Sequence, residues 1–181
     1  MSRLKLTRMF LWFSVISWGI GLGAKVFDLV VLARAWGLEV PSSLVYYPYG
    51  RHWPVNPGDF FQPLSALILT AILGALISGW KTEPVYKFWL GLSFAAFVAI
   101  WIATPTLFWP LITQLYRVAN RRVTMSDDAV ATLVRHWFIY DWIRVAMIAV
   151  GFLASIRAIS IPYLARSTSG STYTRNSAND A

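Results

Sequence analysis

The chain predicts an all-α fold: a bundle of four transmembrane helices with two long loops on one side, one of them partly helical. Three observations carry that prediction. Of 181 residues, 57% are hydrophobic and only 13% charged, with a mean hydropathy of +0.54, which sets the chain apart from ordinary soluble domains and from disordered ones. Its apolar runs, at about 9–35, 59–80, 88–109 and 136–158, each approach the ~20 residues a membrane span needs. Ten Trp, eight Tyr and eleven Phe supply the ring types that gather at membrane–water interfaces.

The first span is Met9–Ala35, preceded by Arg3, Lys5 and Arg8. A secretory signal would end in a small-residue cleavage site, whereas this run continues past Lys25 and Asp28 to Leu32. Gly19, Gly21 and Gly23 offer small surfaces for close helix approach. The connection 34–58 follows, punctuated by Pro41, Pro48, Pro54 and Pro57. Prolines stiffen it, and the rings of Trp36, Tyr46, Tyr47, Tyr49 and Trp53 favour an apolar surface, so it is expected to fold back as a cap.

Asp59 opens the second span, in which Ala75 and Gly79 form a small-xxx-small pair. The short turn Lys81–Lys87 makes spans two and three antiparallel neighbours. Thr104-Pro-Thr106 and Pro110 are expected to break the third span near its end. Beyond them, Leu111, Ile112, Leu115 and Val118 alternate with Gln114, Arg117, Arg121 and Arg122 in an amphipathic pattern. Ser126 before Asp127 and Asp128 reads as an N-cap with acids in the first turn. A helix starting there passes unbroken into the fourth span. The membrane domain is thus 1–161, and the polar tail 162–181 is expected to be disordered.

Net charge is +8. In a soluble protein that excess would suggest nucleic acid, but here the basic residues flank apolar runs, where they hold topology and meet anionic lipid. The expected partner is the lipid bilayer, with no nucleic acid. Four spans place both termini on one side. Arg3, Lys5, Arg8, Lys81, Lys87, Arg157, Arg166 and Arg175 lie there, against Arg34, Arg51, Arg117, Arg121, Arg122 and Arg135 opposite. That balance favours termini in the cytoplasm of a cell membrane. The absence of cysteine removes disulfides, thiol redox chemistry, Fe–S clusters and thiolate haem ligation.

The topology also sorts the polar residues. Lys25 and Asp28 near the end of span one, Asp59 and Gln62 opening span two, Thr104 and Thr106 closing span three, and His136, Asp141 and Arg144 opening span four all fall in one leaflet. This polar half is roofed by the aromatic loop carrying His52, and the other half is expected to be dry. Lys25/Asp28 and Asp141/Arg144 are both i, i+3 pairs on one helix face. Charges at membrane depth cost roughly 2.5–3.5 kcal/mol each on insertion scales, so they face protein and are default site candidates. The catalytic candidates are Asp141, Asp59 or His136 as general base, with Arg144 or Lys25 stabilising an enolate. Lys25, Asp28, His52, Trp53, Trp109 and Trp137 are candidates for lining a substrate. The alternative is structural, with the two pairs locking spans one and four. His52 and His136 lack the spacing of a metal site, and no metal or other cofactor is expected.

These residues bring the chain close to a known pattern. The run Gly19-Ile-Gly-Leu-Gly-Ala-Lys-Val-Phe-Asp28, the Phe60-Phe-Gln-Pro63 opening of span two, the Thr-rich end of span three and Trp137-x-x-x-Asp141-x-x-Arg144 resemble the DUF1772 family, the anthrone-oxygenase-like four-helix membrane proteins. The resemblance covers about residues 9–158, with Asp141 standing where the family pattern has Asn. It implies the four-helix fold and a cofactor-independent oxygenase or oxidoreductase acting on an apolar aromatic or quinone-like small molecule. Two other functions compete: a non-catalytic scaffold or accessory subunit of a membrane complex, and a small proton-coupled transporter that would use Asp28 within a dimer. Whether the chain is an enzyme, and in what oligomeric state, stays open at this point.

Overall fold

The computed structural model describes residues 3–50, 53, 55–81 and 84–161. The expected all-α architecture is present, and no strand occurs among the described residues. Four helices are long and apolar enough to cross a membrane: α1 (Arg3–Gly37), α2 (Pro57–Ser78), α3 (Pro84–Ala119) and α4 (Asp127–Ser160). At 1.5 Å per residue, α1, α3 and α4 each reach about 50 Å, well beyond a hydrocarbon core of about 30 Å. The C-terminal ends of α1 and α3 and the N-terminal end of α4 overhang together. They enclose an apolar cluster that includes Trp36, Leu44, Tyr47, Leu115, Val130 and Val134. The expected cap is therefore a folded layer in which three helix ends and the 3₁₀ turn Ser42–Tyr46 share one core. The polar tail lies outside the described residues.

Helices α1 and α4 form the central pair, with α2 packed on α1 and α3 on α4; consecutive α2 and α3 touch less extensively. Capping fixes where two helices begin. Ser126 caps α4, its Oγ accepting from the Ala129 N–H at 3.4 Å. Asn56 caps α2 through a reciprocal box, in which Gly58 N donates to Asn56 Oδ1 at 2.7 Å and Asn56 N donates to Asp59 Oδ2 at 2.9 Å.

Two expectations about α3 and α1 need correction. Thr104-Pro-Thr106 does not break the third span. The helix continues through a π-helical turn, Thr104–Phe108, and then to Ala119. Pro105 cannot donate a helical hydrogen bond, and the wider turn makes room for its ring. The Thr104 and Thr106 hydroxyls donate to the carbonyls of Ile100 and Ile102, both at 2.8 Å, which keeps backbone groups beside the proline satisfied. A second π turn, Asp28–Leu32, interrupts α1, which then carries Trp36 on helix rather than on loop.

The opposite half is not dry. Ser14, Ser93 and Ser155 meet from three helices, with Oγ separations of 3.0 Å (Ser14 to Ser155) and 2.9 Å (Ser93 to Ser155). The Trp18 indole donates to Ser93 Oγ at 3.0 Å. Close approach there rests on Gly151, where a Cβ would come within 2.5 Å of the Trp18 ring. Gly23, by contrast, faces open space, so it is not a packing glycine.

The α3 helix ends in a Schellman turn. Arg122 N donates to Arg117 O at 2.8 Å and Arg121 N to Val118 O at 2.9 Å. The residue in the left-handed position is Arg121, at φ 55°. Glycine takes that position without penalty, whereas an L side chain there costs about 1–2 kcal/mol.

Candidate functional site

The charged residues of α1 and α4 meet where the central pair crosses the layer of the two π turns. Lys25 lies in the last turn of the regular part of α1, which ends at Phe27, and Asp28 begins the π turn, so the i, i+3 pair spans the junction between the two. Lys25 Nζ lies 2.5 Å from Asp28 Oδ2 and 2.9 Å from Asp141 Oδ2 on α4. Asp141 Oδ1 in turn faces Arg144 Nε at 3.4 Å. Asp141 is completely buried, Lys25 and Asp28 are buried, and Arg144 is nearly so. The contacts around Asp141 are at ion-pair distance but not aligned as hydrogen bonds. Coulomb attraction tolerates that misalignment, because it depends on separation far more than on angle.

Aromatic faces complete the cluster. Lys25 Nζ lies 5.6 Å from the Phe61 ring centroid and 5.3 Å from that of Trp137. The Arg144 guanidinium carbon lies 3.3 Å from the centroid of Phe108. Phe108 closes the π turn of α3, so each π turn contributes one partner to the cluster, a carboxylate from α1 and a ring from α3. The formal charges of two basic and two acidic side chains cancel here, and each of the four lies at ion-pair distance from an opposite partner, with three rings around them.

Above it lies the aromatic roof. The Trp36 ring packs edge-on against Tyr47 and Trp137, both at 4.9 Å between centroids, and stacks on Phe138 at 6.0 Å. Burial pushes the Tyr47 phenol far above its ordinary pKa, with negative charge on Tyr49 and Asp28 adding to the effect. Tyr49 is pushed up to about 12, again chiefly by burial; Arg144 opposes the shift, and Asp28 and Asp141 add to it. Both phenols therefore remain neutral donors through the physiological range.

Of the residues singled out in the sequence, Lys25, Asp28, Trp137, Asp141 and Arg144 come together here. Asp59 does not join them: it is exposed and engaged in the α2 capping box. His136 is exposed with its ring parallel to Tyr140, 6.3 Å away. Trp109 is exposed on α3. Trp53 lines a roof depression of about 390 Å³ with Tyr49 and Tyr116. His52 lies outside the described residues. Phe61 and Phe108 are the site residues that sequence reasoning misses. The signal for them would be the need of a buried cation for an aromatic face.

The depression beside Trp53 and a second one of about 420 Å³ near Arg121 both belong to the roof, and neither is lined by the charged residues below. Among the described residues, no three His, Asp or Glu side chains converge as a metal-binding set. No known family model, curated protein or solved structure matches the chain.

Proposed function

We propose that this chain is a non-catalytic four-helix membrane subunit, a scaffold whose buried charges fix the register of its two central helices. The observation that carries this reading is Lys25, which bridges Asp28 on its own helix and Asp141 on the facing one. A lysine held between two carboxylates and two aromatic rings is poorly placed to exchange protons with a substrate. It is well placed to penalise any sliding of α1 along α4, since breaking a buried pair typically costs 3–5 kcal/mol. The partner in this reading is another membrane component, met through the outward apolar faces and the roof. Orientation with both termini in the cytoplasm is part of the same proposal.

A second reading keeps the oxygenase or oxidoreductase expectation drawn from the DUF1772 resemblance. Among the described residues the Asp141 carboxylate accepts no aligned hydrogen bond, and it is completely buried one helical turn beyond Trp137. A carboxylate of this kind suits proton removal next to a carbonyl, with Arg144 steadying the anion.

Native mass spectrometry of the detergent-purified protein, wild type beside Asp141→Asn, separates the two. The scaffold reading expects no aromatic guest in wild type and a lower melting temperature in the variant. An aromatic or quinone-like molecule that copurifies with wild type, and is lost from a variant that still folds, would establish the enzyme reading instead.

A further inference from the structure

Arg121 holds the left-handed position of the α3 Schellman turn, at φ 55°, where glycine would fit without strain. The helix dipole does not account for it, because Arg117 already places a cation in the last turn. The side chain has somewhere to act. Arg121 lines the roof depression of about 420 Å³ between the 3₁₀ turn Ser42–Tyr46 and the end of α3, together with Ser42, Gly50 and Asn120. None of the described residues lining it is acidic. Arg117 and Arg122 stand within one turn, and the Arg122 guanidinium lies 5.3 Å from the Tyr116 ring centroid. Running from Pro84 to Ala119, α3 is 36 residues long. At 1.5 Å per residue it carries its end clear of a hydrocarbon core of about 30 Å. The depression is thus at or beyond headgroup level, in contact with water.

From the strained Arg121, the acid-free depression it lines and the two arginines beside it, we propose that this end of the roof binds a phosphate-bearing anion. Arg121 supplies the planar, forked donors that match phosphate oxygens, and the Asn120 amide, which donates one N–H to Tyr116 O at 2.8 Å, carries a second beside it. Neighbouring arginines raise the local positive potential and speed capture. The phosphate can belong to a soluble molecule or to a lipid headgroup. The chemistry recognised is the same, and the site is separate from the buried charge cluster.

The test uses the full chain in nanodiscs and the variant Arg121→Gly, which removes the guanidinium while suiting the turn. In one arm, phosphatidylcholine nanodiscs are melted with inorganic phosphate or with chloride at equal ionic strength. In the other, phosphatidylglycerol is added to the disc. Wild type should gain about 3 °C in at least one arm, and Arg121→Gly should lose that gain while melting at or above wild type in chloride. A gain with inorganic phosphate alone identifies a soluble source, and a gain with phosphatidylglycerol alone identifies a headgroup. No gain in either arm, an equal gain in the variant, or a variant melting well below wild type in chloride would overturn the proposal.

Discussion

Lys25 Nζ lies 2.9 Å from Asp141 Oδ2, and this contact ties the charge of α1 to that of α4. Each residue also has a same-helix partner three positions away, Asp28 for Lys25 and Arg144 for Asp141. The local pairs can form in either helix alone. The cross-helix contact forms only when the two helices are in register, so it can report the fold in a way the local pairs cannot.

The ring beneath Arg144 should matter separately from its volume. Phe108→Leu keeps an apolar side chain but removes the aromatic face 3.3 Å from the guanidinium carbon. A desolvated cation–π contact is worth about 2 kcal/mol. Chemical denaturation in detergent should therefore show a loss of that order, and Arg144→Met should shrink it to the repacking cost alone.

Gly151→Ala should destabilise the opposite half. The new methyl would come within 2.5 Å of the Trp18 ring, which is itself held by the bond to Ser93. Overpacking of this kind costs about 1–3 kcal/mol. Adding Trp18→Phe should recover part of the loss, measured as melting temperature in the same detergent.

Alkaline pH should loosen the roof. Burial raises Tyr49 to about 12 from an ordinary 10.0, so above pH 10 the unfolded chain releases a proton that the folded chain retains. Stability from this source is complete below pH 10 and falls as pH rises toward 12. Tyr49→Phe should make that fall shallower while leaving the neutral region unchanged, and the part that remains belongs to Tyr47, whose buried phenol is raised further still.

The helices and the charged cluster were legible in the sequence for a simple reason. Long apolar runs have few alternatives to spanning helices, and i, i+3 charge pairs at the same depth must seek one another. The remainder depended on packing. Pro105 reads as a break, yet the Thr104 and Thr106 hydroxyls and a π turn carry the helix past it, which brings Phe108 to Arg144. Ser14, Ser93 and Ser155 are single small residues in apolar runs, and nothing along the chain shows that they share a point. Glycines were legible only in part. Gly19 packs against Phe152 of α4 and Gly21 against Leu64 of α2, as the run suggests, but Gly23 faces open space and the closest ring contact of the central pair falls at the isolated Gly151.

The most direct test of the scaffold account is a double-mutant cycle on Lys25 and Asp141, with stability measured by denaturation in detergent for Lys25→Met, Asp141→Leu and the pair together. The account predicts that each single change costs about 3–5 kcal/mol, because it leaves buried charge unbalanced, and that the double variant loses much less than the sum. Losses that simply add would contradict it, for they would mean that Lys25 and Asp141 do not hold α1 and α4 in register.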